Sequence, residues 1–331
     1  MIVCCGEALI DMVPIKALVG QKPDAETGFI PCPGGSPYNT ALALGRLGVP
    51  VQFLGRLSRD FFGERLITKL IQNQVGTGLI IRSSEPSTLA FVHIEAGKEP
   101  QYLFYTEGTA DRSLTTADIP GRLPEETRCI LFGSIAMTME PVASAIESLI
   151  FREHTQAARQ GKERPVISLD PNIRPFMIRD REAYRNRFET WLRAVSILKI
   201  SAEDMAYIYP DQDLKAAIER ALNLGVRLAL LTQGSAGALA LLRRERDELL
   251  QVTVPGFPVT VADTIGAGDT FHGAFLAWLE LHGRMSPSQV ASLTRGELSE
   301  ALGFANKAAA LVCTRHGANP PALAEIEALK D

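Results

Sequence analysis

No stretch of this chain approaches the roughly 20 consecutive apolar residues that a helix needs to cross a bilayer. Cysteine is sparse: Cys4, Cys5, Cys32, Cys129 and Cys313 are the only five among 331 residues. Their odd number and the lack of CxxC spacing argue against a disulfide framework or a zinc site. The five histidines are dispersed without metal spacing, and no HExxH occurs. Charge has no strong sign: 34 basic residues against 38 acidic ones leave a net −4 without a long basic run. That speaks against nucleic acid or an anionic membrane as the main partner. The common phosphate and nucleophile motifs are also missing. There is no GxxxxGK[ST], no GxGxxG after a first strand and no GxSxG. Internal repeats and low-complexity segments are absent as well. The opening "MIVCCGEALIDMV" lacks a basic flank and reads as a buried first strand rather than a signal peptide, so the expected home is a reducing cytoplasm.

What is present is ordinary globular material, 46% hydrophobic and 22% charged, enough for a sizeable core. Apolar runs at 51–55, 129–133, 165–170, 195–200 and 226–232 have the continuous character of parallel strands covered on both faces. Helical spacing lies between them, as at 141–160, where Val142, Ile146 and Leu149 share a face. The alternation predicts an α/β fold around a parallel sheet, with ligands at the carboxyl ends of its strands. Two regions, 11–33 and 86–111, break the rhythm. In the second, two alternating runs flank "AGKEP" as a hairpin. Both are expected to form a small antiparallel sheet, a lid projecting from a main domain of residues 1–10, 34–85 and 112–331. The final "PPALAEIEALK" reads as a terminal helix opened by proline.

Three glycine segments sit where such a fold places chemistry. In "PCPGGSPYNTALALGRLG" (31–48), Ser36 reads as N-cap, Pro37 as the first helical residue and Gly48 as the stop. Gly34 and Gly35 would let backbone approach a ligand. Asn39 and Asp11 have the donors and acceptors that sugar hydroxyls need. A well-capped helix with a surface Asn is the plainer alternative. In "DTIGAGDTFHGAF" (263–275), Gly266, Ala267 and Gly268 present backbone N–H groups at a helix N-terminus, a ready anion site. Asp269 behind them could merely cap the helix. An acid beside an anion hole makes chemical sense if it takes a proton from an attacking hydroxyl while the hole stabilises a phosphoryl group. Its helix-end position is expected to keep it ionised. Phe271, Phe275 and Trp278 read as core, and His272 as a helix flank. The third segment, "TQGSAGA" (232–238), follows an apolar strand and would suit a nucleotide phosphate or a plain turn.

Taken together, "GGSPYNTALALGRLG", "TQGSAG" and "DTIGAGDTFHGAF" resemble, in order and separation, the signatures of the PfkB, or ribokinase-like, carbohydrate kinases. The resemblance covers essentially the whole chain. It implies a doubly wound α/β domain, helices on both faces of a mostly parallel sheet, with a small β-sheet lid. It also implies transfer of the γ-phosphoryl of ATP to a sugar hydroxyl with Mg²⁺ and often a monovalent cation such as K⁺. By motif, Asp269 would be the base and Gly266, Ala267 and Gly268 the anion hole, with Asp11, Gly34, Gly35 and Asn39 on the sugar. Thr232, Gly234 and Gly237 would line the nucleotide, and Asn306 would lie near the adenine. The carbonyls around Asp263 and Ile265, with loop 313–318, resemble the monovalent-cation site.

"GEALIDM" and "DPNIRPFM" resemble the fructokinase and 2-keto-3-deoxygluconate kinase branch, which adds Asp170, Asn172 and Arg174 beside the phosphates and acceptor. Three positions depart from the family. Ser201 replaces Asn in "SAED", leaving Glu203 or Asp204 as the acid near Mg²⁺. Ser58 replaces a glycine, and Thr106 stands where related fructokinases often carry Arg. Fructokinase is the favoured activity. A 2-keto-3-deoxygluconate kinase would need a cation such as Arg174 or Arg112 for the acceptor carboxylate. A nucleoside kinase would need lid aromatics, for which Phe91, Tyr102, Phe104 and Tyr105 are available. A non-catalytic sugar-binding scaffold is the alternative of another class. The apolar Phe91, Val92, Ile94 and Leu103 of the lid point to a homodimer through that sheet.

Overall fold

The protein's structure, a computed structural model, describes residues 1–14, 28–93, 101–160, 163–244 and 248–329. The "AGKEP" turn and Ile94 lie outside the described residues. Strands in chain order are β1 (Ile2–Cys5), β2 (Leu9–Pro14), β3 (Phe29–Gly34), β4 (Val51–Ser58), β5 (Gly76–Ser83), β6 (Leu89–His93) and β7 (Gln101–Tyr105). There follow β8 (Cys129–Gly133), β9 (Val166–Asp170), β10 (Ile197–Ser201), β11 (Leu228–Thr232), β12 (Ala238–Arg243) and β13 (Leu249–Val254).

Nine of these make one sheet in the order β13-β12-β11-β10-β9-β8-β1-β4-β5. Pairing is parallel from β11 to β5, and the β12–β13 hairpin adds an antiparallel edge. The five apolar runs expected as strands are β4, β8, β9, β10 and β11. The edge strands β5 and β13, half-exposed and without a continuous apolar run, were not anticipated, nor was the largely buried β12 between β11 and β13.

Period-two alternation sends each buried strand into two cores. Ile2 and Cys4 of β1 join a core with the helices Ser36–Arg46, Ala267–Leu281 and Arg295–Cys313. Val3 and Cys5 join the opposite core with the helices Val142–Gln160, Arg181–Leu192 and Leu214–Leu224. The result is a doubly wound sheet. After β1 the chain runs outward through β4 and β5, then returns to β8 on the other side, so β1 and β8 flank a topological switch point.

The second sheet has four strands in the order β3-β2-β6-β7; β2 and β6 pair in parallel, so the lid is mixed rather than wholly antiparallel as expected. The register β7–β6–β2 puts Leu103, Phe91 and Met12 on one face. Tyr102, Phe104, Ala90 and Asp11 fall on the other. The second face turns toward the carboxyl ends of the main strands. Among the described residues, no helix is long and apolar enough to cross a membrane.

Candidate active site

Asp269 does not cap its own helix. The helix Ala267–Leu281 starts from Gly266, whose φ of 79° is left-handed and which offers no side-chain cap. A Cβ at Gly266 would also press within 2.8 Å of Ala318. The Asp269 carboxylate instead reaches across to the Ser36–Arg46 helix. Ser36 Oγ donates to Oδ1 at 2.6 Å and Asn39 Nδ2 to Oδ2 at 2.9 Å. Capping therefore does not explain this acid. One expectation is corrected with it. Ser36 is the first helical residue, not the N-cap, because its hydroxyl is taken by Asp269 while Gly35 precedes the helix without a side-chain cap. Asn39 is buried, which sets aside the plainer alternative of a surface Asn, and its Oδ1 has no partner among the described residues.

Burial pushes the Asp269 carboxyl above its ordinary range, against the lowering effect of the Ser36 and Asn39 hydrogen bonds. The expectation that the helix end alone keeps it ionised left out this desolvation. Of the three N–H groups expected as an anion hole, Ala267's turns back to Thr264 O at 3.2 Å. Those of Gly266 and Gly268 have no acceptor among the described residues.

Around Asp269 lies a cavity of about 290 Å³ at the ends of β1, β8, β9 and β10. Its wall is polar: Asp11, Asn39, Asn172, Arg174 and Gly35 from the expected set, with the lid's Tyr102 and Phe104 above. Gly34 sits behind Asp11; a Cβ there would fall 2.1 Å from Asp11 Oδ2, so the glycine makes room for the carboxylate. Asp11 is pushed up to about 7 by burial, Arg174 opposing and Asp269 adding to the shift. Arg174 also donates to Asn172 Oδ1 at 2.8 Å, which fixes it in the wall.

A second cavity, of about 540 Å³, is mostly apolar: Phe257, Val259, Val261, Ala309 and Ala310, with Thr232, Gly234, Gly237 and Asn306. Asn306 Nδ2 donates to Val254 O and Pro255 O, which pins the β13 exit over this cavity. Thr264, Ala267 and Gly268 line both cavities, so the two meet at the start of the Asp269 helix. A polar pocket, an apolar pocket and a carboxylate with free N–H groups at their junction suit transfer of a charged group between two substrates.

A sequence profile of the pfkB family carbohydrate kinases matches residues 1–325. The chain belongs to that family. A fructokinase from Rhizobium leguminosarum bv. trifolii is 40% identical over 293 residues, 88% of this chain and 84% of that one. A Xylella fastidiosa fructokinase solved with bound ATP superposes with a TM-score of 0.85 at 28% identity, covering 98% of this chain and 96% of that one. A double mutant of Vibrio cholerae O395 fructokinase, solved with fructose, ADP and potassium ion, gives 0.80 at 25% identity over 100% and 98%. The chain is thus a carbohydrate kinase with a ribokinase-like fold.

The remaining candidate residues of the kinase are divided in place. Asp170 is buried beneath the first cavity, its Oδ2 on Lys199 Nζ at 2.8 Å and its Oδ1 on Asn172 N. Asp204 accepts from Ile173 N at 3.0 Å and is raised to about 6 by burial and by Asp170. Glu203, on the same turn, is exposed. Of the two acids, Asp204 is the one turned toward Asp170. Asp263 accepts from Ile265 N and from Gly317 N, and Ala262 N donates to Cys313 O. Loop 261–266 and loop 313–318 are therefore joined. Thr106 is buried in the lid turn and does not line the first cavity. Ser58 accepts from Asp60 N, ahead of the helix Phe61–Gln72.

His272 is not on a flank. It is fully buried, with Nε2 2.7 Å from Ser168 Oγ of β9, and burial lowers it to about 4. Two residues of the site escaped the motif reading. Glu7, raised to about 7 by burial, accepts from Ser36 N and Ala136 N, and so ties the switch-point strands to the Asp269 partner. Lys199 stands in a strand whose apolar members, Ile197, Leu198 and Ile200, are wholly buried. A lone charge in an apolar strand was the signal available for it.

Proposed function

We propose that this carbohydrate kinase transfers the γ-phosphoryl of ATP to a hydroxyl of a free sugar, foremost fructose. The observation that carries the reading is the junction of the polar and apolar cavities at Gly268, beside Asp269. The apolar cavity suits the adenine and ribose, with Thr232, Gly234, Gly237 and Asn306 along them. The polar one suits a neutral sugar, held by Asp11, Asn39, Gly35 and Arg174. The sugar hydroxyl attacks the γ-phosphorus, the bond to the ADP oxygen breaks, and the hydroxyl proton passes to Asp269. The transition state is loose, so positioning and charge stabilisation dominate, and the N–H groups of Gly266 and Gly268 supply part of the latter.

Asp204, beside Asp170, offers the hard oxygen ligands that Mg²⁺ takes together with phosphate oxygens. That ion would neutralise phosphate charge. The joined loops at Asp263 and Ile265 would hold a monovalent cation, and a reducing cytoplasm suits the five free cysteines.

One observation favours a second reading. Arg174 is a cation in the wall of the polar cavity, as Lys199 is in its floor, whereas Arg112 pairs with Glu107 away from it. A carboxylate-bearing acceptor such as 2-keto-3-deoxygluconate could use Arg174. The test is ADP release with ATP, Mg²⁺ and K⁺ over fructose, 2-keto-3-deoxygluconate, ribose and adenosine. Turnover on fructose is expected, with Asp269→Asn folding normally and losing about 10²-fold or more, the scale of general-base catalysis. Unchanged turnover in Asp269→Asn would remove the base assignment, and turnover only on the keto acid would favour the second reading.

A further inference from the structure

The polar cavity has a floor that none of the glycine segments provides. Lys199 lies on β10, side chain inward, with 6% of it exposed. Its Nζ donates to Asp170 Oδ2 at 2.8 Å. Among the described residues this is its one acceptor, and an ammonium has three N–H bonds to give. The side chain lines the cavity with Gly266, Ala267, Gly268 and Asp269. At Gly268 a Cβ would come within 2.9 Å of Lys199 Nζ. The last glycine before the acid is thus the space the ammonium occupies. Burial works against its charge, yet Asp170 and, further off, Asp204 and Asp269 hold it protonated on balance.

A buried ion pair is weak evidence for stability, since apolar residues of similar volume often serve as well. Here the neighbours on the strand are apolar, and the pair points at the junction of the two cavities. We propose that Lys199 is a catalytic residue of the phosphoryl transfer. Its ammonium contacts the phosphoryl group lying on the Gly266 and Gly268 N–H groups and stabilises its negative charge as the bond to the ADP oxygen breaks. Asp170 aims that ammonium. The inference rests on the kinase reading above.

The experiment compares the wild type with Lys199→Met, Asp170→Asn and the double variant, in which neither charge is left unpaired. Steady-state kcat and KM with ATP and fructose are measured beside thermal melting. Calorimetry gives the affinity for ADP alone and for ADP with aluminium fluoride, a mimic of the transferring group, in the presence of sugar. Lys199→Met is expected to lower kcat about 100-fold or more, on the scale of losing one donor to a developing anion. KM should change little, and the gain in affinity from aluminium fluoride should disappear while ADP affinity stays. The double variant should melt near the wild type and keep the loss. Recovery of wild-type kcat or of the fluoride effect in the double variant would overturn the proposal, leaving Lys199 as a counter-ion of Asp170. If Lys199→Met does not fold, the double variant decides by the same readouts. A wild type silent on every acceptor would instead strike the kinase reading itself.

Discussion

Asp269 holds two donors on one buried carboxylate, and that arrangement sets how it titrates. Burial raises its pKa, while Ser36 and Asn39 oppose the rise. Removing a donor must therefore raise it further, so that the base is protonated over a wider acidic range. Ser36→Ala is expected to move the acidic limb of kcat/KM to higher pH. A hydrogen bond to a charged group contributes roughly 1.5–3 kcal/mol, which corresponds to a movement of the limb by about one to two pH units. Ser36→Thr, which keeps the hydroxyl, should restore the wild-type limb. A limb unmoved in Ser36→Ala would show that the 2.6 Å contact does not act on the base. The groups around Asp269 that share its field are Asp170 and Lys199, and Asp11 lies across the same cavity. The opposite case is His272, held neutral by burial at about 4. An unfolded histidine takes a proton near 6.5, so its neutral burial contributes stability above that pH and loses it as pH falls toward 4.

At the scale of elements, the glycines of the third segment serve the sheet first. Gly237 joins β11 to β12 with φ of 100°, and a Cβ would strike Val254 O at 2.2 Å. Both features are backbone constraints that no side-chain movement relieves. Gly237→Ala is expected to destabilise the fold by more than about 2 kcal/mol, read from the urea midpoint. An unchanged midpoint would mean that this turn can open without cost. The lid shows how period two divides one element between two tasks. Its inner residues Tyr102, Phe104 and Asp11 line the polar cavity. Outside lie Phe91, with Phe29 and Tyr105 each in edge-to-face contact with it, and Leu103. Of the residues that suggested an interface, Val92 is buried on the inner face, and Phe91 and Leu103 remain outside.

For the whole molecule, this outer face is the feature left to account for. Leu103 and Tyr105 are 58% and 57% exposed on a sheet that projects from the main domain. We expect a homodimer through this sheet at micromolar concentration by light scattering. Leu103→Glu should give monomers with an unchanged melting temperature, because the residue supports no core. A wild-type monomer would refute the interface. The doubly wound domain needs no such partner. Its two cores are each closed by helices, and its sites lie where β1 and β8 diverge.

The α/β class, the central strands and the sites at their carboxyl ends were legible in the sequence, because buried parallel strands must be apolar and their turns must carry glycine. The acid after Gly266–Gly268 was legible as a candidate from its glycine turn, and Asp11 and Asn39 as candidates from their donors and acceptors beside glycine. Edge strands such as β13, half in water, carry no such pattern. Only the tertiary structure decided that Ser36 donates to Asp269 across 233 positions of sequence. It alone put Glu7 under the Ser36 amide, His272 against Ser168, and Lys199 against Gly268. These contacts join residues that no local period relates. Their energies come from burial and charge, which exist only once the sheet has brought its strand ends together.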